Sequence, residues 1–198
     1  MKLFLFAGFL GSGKTTLILS LAEKLVKERG QKVGIIVNEV GTIGIDDKVM
    51  RQFGLDVWEL YSGCICCQLG VDLVTTLHTI SADYKPDLVI VEASGLATPE
   101  GVMDSLRYYK GEPLEKIKTV VVVDPTRLDM LLEVLTPLAT AQIVAADILA
   151  LNKIDECSEA EITTAQEALR SMNDRATIIL MSARNAVNTE PILEEMVS

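Results

Sequence analysis

The chain has 198 residues, 49% of them hydrophobic, enough to bury a proper core, and is expected to form a single domain spanning 1–198 without a C-terminal second domain. Its 18 Lys and Arg stand against 28 Asp and Glu, and the net charge of −10 repels polyanions, which argues against nucleic acid and anionic membrane surfaces as partners and requires any bound phosphate to be gripped locally. No apolar run approaches the roughly 20 residues of a membrane span, and the opening Met1–Leu10 reads as a core strand rather than a signal peptide, so the expected location is the cytoplasm.

Residues 2–7 form the first predicted strand, and they run straight into Gly8-Phe9-Leu10-Gly11-Ser12-Gly13-Lys14-Thr15-Thr16. A glycine, four residues, then Gly-Lys-Thr is the P-loop spacing. Its glycines let successive backbone N–H groups turn inward onto phosphate oxygens, and the start of the next helix adds partial positive charge. Lys14 would reach the β- and γ-phosphates, and Thr15 would offer its hydroxyl to Mg²⁺. The helix that follows is predicted over 14–29, where Leu17, Leu21 and Leu25 with Ile18, Ala22 and Val26 make an apolar stripe.

Further strands are predicted at 32–37, 55–60, 87–92, 118–124, 147–151 and 176–181, several of them continuous Val/Ile/Leu runs of the kind buried on both faces. Helices fit between them at 70–82, 99–109, 126–145 in one or two pieces and 158–172, with a short one at the end. The alternation predicts an α/β fold of the P-loop NTPase type: a doubly wound, mainly parallel sheet of about seven strands, helices on both faces, and the ligand site at the strand C-terminal ends.

Four further strand ends carry chemistry. After 55–60 comes Ser62-Gly63-Cys64-Ile65-Cys66-Cys67. Adjacent Cys66 and Cys67 are poorly placed to bridge each other, and as thiolates the three suit a soft or borderline ion; packing as small apolar groups and a redox role are the other readings. The strand 87–92 ends in Glu92-Ala93-Ser94-Gly95, where a carboxylate helps hold Mg²⁺ or its waters and the Gly95 N–H can meet a γ-phosphate. After 147–151 comes Asn152-Lys153-Ile154-Asp155, in which Asp155 can accept from the guanine N1–H and exocyclic amine while the Lys153 stem lies along the base. Adenine lacks that donor pair and would leave the carboxylate unpaired. Past 176–181, Ser182 and Ala183 bring a backbone N–H toward guanine O6. Elsewhere, His78 and Trp58 read as packing residues, Tyr108-Tyr109 as packing or a partner contact, and Cys157 as incidental.

Together with Asn38-Glu39-Val40-Gly41, these motifs resemble the CobW-type metallochaperone GTPases, SIMIBI-class relatives of the urease and hydrogenase nickel-insertion GTPases. The likeness covers nearly the whole chain, and Gly63-Cys64-Ile65-Cys66-Cys67 is its most specific part. It implies phosphate and nucleotide contacts from Gly11, Ser12, Gly13, Lys14, Thr15, Thr16 and Gly95, Mg²⁺ at Thr15 with Glu92, and guanine read by Asn152, Lys153 and Asp155 with Ser182 and Ala183. A transition metal, Zn²⁺ or Co²⁺ first, would be held by Cys64, Cys66 and Cys67 with Glu39 auxiliary, while Lys14, Glu92 and Asp46 serve GTP hydrolysis, Asp46 by orienting the attacking water or the Mg²⁺ water shell. GTP and GDP are then the cofactors, the partner a client metalloprotein or corrinoid enzyme, and a GTP-dependent homodimer a further option. Two alternatives stay open: a GTPase assisting a corrinoid enzyme with only a structural metal, and a P-loop small-molecule kinase, which would leave Asn-Lys-x-Asp unexplained. Glu92 in place of the Ras-like aspartate fits the SIMIBI branch. Family members commonly run on into a C-terminal domain, whereas here the GTPase domain alone is expected.

Overall fold

A computed structural model describes residues 1–37, 56–59 and 68–198. Seven strands, β1 (Lys2–Ala7), β2 (Val33–Val37), β3 (Asp56–Glu59), β4 (Leu88–Glu92), β5 (Lys116–Val123), β6 (Ile148–Leu151) and β7 (Thr177–Leu180), form one sheet in the order β3-β2-β4-β1-β5-β6-β7. Every pairing is parallel, with Phe6 opposite Glu92 on one side and Val120 on the other. All strand C-termini therefore emerge at one edge. The seven strands read from the sequence are all present, and β5 starts two residues earlier than its Val run suggests because Lys116 and Lys118 continue the pairing with β1.

Alternation along β1 builds two core layers. Phe4 and Phe6 face one side, where they pack with Leu17, Leu21 and Leu25 of α1 (Lys14–Lys27) and Ile192, Leu193 and Met196 of α7 (Glu190–Val197). Leu3, Leu5 and Ala7 face the other, covered by α2 (Gln68–Thr79), α3 (Pro99–Leu106), α4 (Pro125–Val134), α5 (Thr136–Val144) and α6 (Glu159–Met172). The residues of β1 from Leu3 onward are fully buried, which is what a continuous apolar run at the centre of a parallel sheet demands.

Local chemistry sets the helix ends. The segment read as one or two helices over 126–145 is two, broken at Leu135 (φ −123°, ψ 36°), with Pro137 opening α5, where its missing N–H costs nothing. α2 passes into a π turn, Ile80–Tyr84, which stops at left-handed Lys85 ahead of Pro86. Trp58 on β3 packs edge-to-face on Tyr84 at 5.2 Å, and His78 rests 4.8 Å from Tyr109 while accepting from the Lys110 N–H, so both behave as packing residues. Tyr108 is exposed. α6 begins with a reciprocal capping box between Ser158 and Glu161. Ser158→Ala should lower stability by about 1 kcal/mol, the usual cost of losing such a cap, read as a shift in the urea midpoint at unchanged slope; an unchanged midpoint would contradict it.

Among the described residues no helix is long and apolar enough to cross a membrane.

Candidate functional site

The edge where the strands end gathers three loops around one cleft, those after β1, β6 and β7. The first is the P-loop between β1 and α1. Gly13, at φ 97°, sits where a Cβ would overlap the Asn152 side-chain amide, so only glycine fits both the turn and the close approach. The turn is closed by Ser12 N–H donating to Phe9 O at 3.1 Å, and the largely buried Lys14 carries its ammonium 3.3 Å from the same carbonyl. α1 starts here with no side-chain cap and no acid in its first turn, leaving its opening N–H groups and dipole to whatever anion enters.

Across the cleft floor, Thr15 Oγ1 donates to Glu92 Oε1 at 2.7 Å. Two hard oxygen donors, one of them a carboxylate, meet in the cleft that Lys14 also lines, the donor chemistry that suits a small divalent cation such as Mg²⁺. Gly95 follows on the β4–α3 loop and comes so close to the P-loop that a Cβ would stand 2.8 Å from Leu10 N. Its carbonyl and that of Ala97 accept from the buried Gln142 Nε2, at 3.3 and 2.9 Å. The β4–α3 loop is thereby pinned from the far side by α5.

The other end of the cleft belongs to β6 and β7. Asn152 lines it, yet its side chain is only 2% exposed and both polar atoms are engaged: Nδ2 donates to Ser12 O at 2.7 Å and Oδ1 accepts from Ala183 N–H at 2.8 Å. It splices the P-loop to the Ser182–Ala183 turn, a structural duty the sequence reading, which has it meet the base, did not include. The Ala183 N–H, read from the sequence as facing guanine O6, is likewise taken up by Asn152. Lys153 adopts φ 63° and donates from Nζ to Asp124 Oδ2 at 2.7 Å. Asp155 stands exposed at the mouth, accepting from Asn185 Nδ2 at 2.9 Å. The Ser182 hydroxyl above all, with Asn185 and the Arg184 charge, holds its carboxyl below the usual range, so it is an anion and a pure acceptor near neutral pH.

The cleft encloses about 500 Å³ and is lined by Gly11, Gly13, Lys14, Thr15, Thr16, Glu92, Asn152, Lys153, Asp155, Ser182 and Ala183 from the predicted set. Ser12 turns its side chain inward and is buried, contributing through its backbone. Glu39, Asp46, Cys64, Cys66 and Cys67 lie outside the described residues. Among those described, no group of three His, Cys, Asp or Glu side chains is placed to hold a metal. Cys157 donates to Lys153 O, and burial pushes its thiol pKa up, away from reactive thiolate character.

Sequence reasoning missed three residues behind the loops. Asp124 pairs with Lys153. Arg127 donates from Nη1 to Leu10 O at 2.8 Å, and Gln142 holds the β4–α3 loop. A signal existed for the first: an acid followed by Pro at the end of a Val run is a helix N-cap, and Asp124 does cap Thr126 N–H at 3.1 Å. Nothing local announces the other two, whose partners lie 117 and 45 residues away.

This is the architecture of a P-loop nucleotide-binding domain, and comparison with known proteins specifies it further. Residues 2–180 match the family model for the CobW/HypB/UreG nucleotide-binding domain, and the chain belongs to that family. It is 36% identical over 152 residues to the zinc chaperone YeiR of Escherichia coli, covering 76% of this chain and 46% of YeiR. To the zinc chaperone CobW of Sinorhizobium sp it is 28% identical over 209 residues, covering 91% of this chain and 58% of that protein. The chain thus spans about half the length of these relatives. Among solved structures, the hydrogenase maturation factor HypB of Archaeoglobus fulgidus superposes with a TM-score of 0.74 at 23% identity, over all of this chain and 89% of HypB, and shares the fold.

Proposed function

We propose that residues 1–198 act as one GTP-binding and GTP-hydrolysing unit of a metallochaperone, which takes a transition metal, zinc first, at Cys64, Cys66 and Cys67 with Glu39 and passes it to a client metalloprotein. The observation that carries the nucleotide half is the single cleft with the Lys14 ammonium and the Thr15–Glu92 pair at one end and Lys153 and Asp155 at the other. A guanosine triphosphate matches that polarity, with phosphates on the P-loop and α1, base between the Lys153 stem and Asp155. Thr15 and Glu92 would hold Mg²⁺, which neutralises charge on the β- and γ-phosphates when bound. The metal half is supported by the family and by relatives that are themselves zinc chaperones. Zn²⁺ is cargo in this reading. It is tested by titrating Zn²⁺ into the protein loaded with GDP and with a non-hydrolysable GTP analogue: affinities differing between the two states support nucleotide-gated loading, and equal affinities remove the chaperone mechanism.

The base pocket has its own test. Asp155→Asn should turn selectivity from GTP toward xanthosine triphosphate, because the amide donates where the carboxylate accepted. Competition binding of the two nucleotides reads it out, and an undiminished preference for guanine would take Asp155 out of base recognition.

A further inference from the structure

We infer that Asp124 is a positioning residue for nucleotide binding: from behind the cleft it fixes the Lys153 side chain as the wall against which the base packs. The inference rests on the proposed role of Lys153 beside the base, and it adds a residue from a different strand end with no exposure to the cleft of its own.

The geometry is one-sided. Asp124 caps α4 at the end of β5, with its side chain 3% exposed, whereas Lys153 is 30% exposed and lines the cleft. Oδ1 is committed to its own helix, accepting from Thr126 N–H at 3.1 Å and Thr126 Oγ1 at 2.7 Å. Oδ2 is left for Lys153 Nζ alone among the hydrogen bonds of the described residues, at 2.7 Å. Burial raises the Asp124 carboxyl pKa, but the hydrogen bonds from Lys153 and Thr126 and the Lys153 charge outweigh it, so the group stays ionised. Lys153 has acidic neighbours in its own loop, Asp155 and Glu156, with which a free lysine at the protein surface would pair; its ammonium turns inward instead.

That choice has a consequence for the cleft. A lysine side chain is among those with the largest rotamer entropy, and one tied at its tip keeps its methylene stem in one place at little further cost when a ligand arrives. The left-handed backbone of Lys153 aims the stem, and Asp124 stops it from swinging. Net of desolvation an intact ion pair of this kind adds little stability, although Lys153→Met alone strands the buried Asp124 carboxylate and lowers stability, which the double variant relieves. The expected signature of the intact pair is therefore on binding.

The test uses the full chain and four proteins, wild type, Asp124→Asn, Lys153→Met and the double variant, titrated calorimetrically with GDP and with ADP. Asparagine keeps the helix cap and the side-chain shape, so what is lost is the anchor. Asp124→Asn should weaken GDP binding roughly tenfold, within the range of coupling between residues in contact, and should weaken it less than about twofold when Lys153 is already Met. Wild-type affinity in Asp124→Asn overturns the inference, and so does an equal loss in the two backgrounds, which would make the effect a general loosening of the fold. If Asp124→Asn does not fold, Asp124→Ser, which also keeps a helix-capping side chain, takes its place in both backgrounds and is read by the same two criteria. A wild-type chain that binds ADP as tightly as GDP would overturn guanine selectivity alone, and the Asp124–Lys153 dependence would then be read on either nucleotide.

Discussion

Lys14→Ala weakens GTP binding by roughly 10²-fold or more, because among the described residues it removes the lysine that lines the phosphate end of the cleft. Hydrogen bonds to charged groups contribute about 1.5–3 kcal/mol each, and an ammonium on two phosphates makes at least one. The other cations lining the cleft, Lys153 and Arg184, stand at the far end, paired with Asp124 at 2.7 Å and with Glu156 at 3.9 Å. Neither is placed to substitute. The chain's net charge of −10 adds a background repulsion toward a triphosphate that only local donors overcome. Alanine at the first position of α1 is a good helix former, so far-UV circular dichroism should be unchanged while equilibrium binding of labelled GTP with Mg²⁺ collapses. Unaltered GTP affinity would sink the P-loop assignment.

Replacing Cys66 and Cys67 together by Ser abolishes the link between metal and nucleotide while leaving GTP binding intact. A serine hydroxyl does not ionise near neutral pH, so the pair no longer supplies thiolates to a borderline ion. In the unsubstituted protein the coupling should be ordinary for an allosteric pair, about 5–150-fold in Zn²⁺ affinity between the GDP and GTP-analogue states, and by thermodynamic reciprocity Zn²⁺ should tighten the GTP analogue by the same factor. Both arms are measured on the same samples. Coupling that survives the double substitution would move the metal site away from residues 64–67.

The strands were legible in the sequence because a parallel sheet covered on both faces needs unbroken apolar runs, and 33–37, 88–92 and 148–151 are such runs. The P-loop and the Asn152–Asp155 loop were legible because each packs its chemistry into a few consecutive residues. What escaped was everything that depends on distance along the chain. Asn152 read as a base contact because its motif says so, but its burial is set by the Ser12 carbonyl 140 residues earlier and the Ala183 amide 31 residues later. Arg127 looks like a surface residue of α4 until the P-loop is folded beneath it. The break at Leu135 was half visible in Pro137, whereas the π turn at 80–84 leaves no mark in residue type.

The strand order has one further meaning. With β1 and its P-loop in the middle, β4, β2 and β3 fan out to one side and β5, β6 and β7 to the other. Glu92 closes a strand of the first wing, while Asp124, Lys153 and Asp155 follow strands of the second. A nucleotide lying across the seam would speak to the wings with different ends, its phosphates to one and its base to the other. Base preference and phosphate handling would then rest on different wings, so a lineage could alter one while keeping the other.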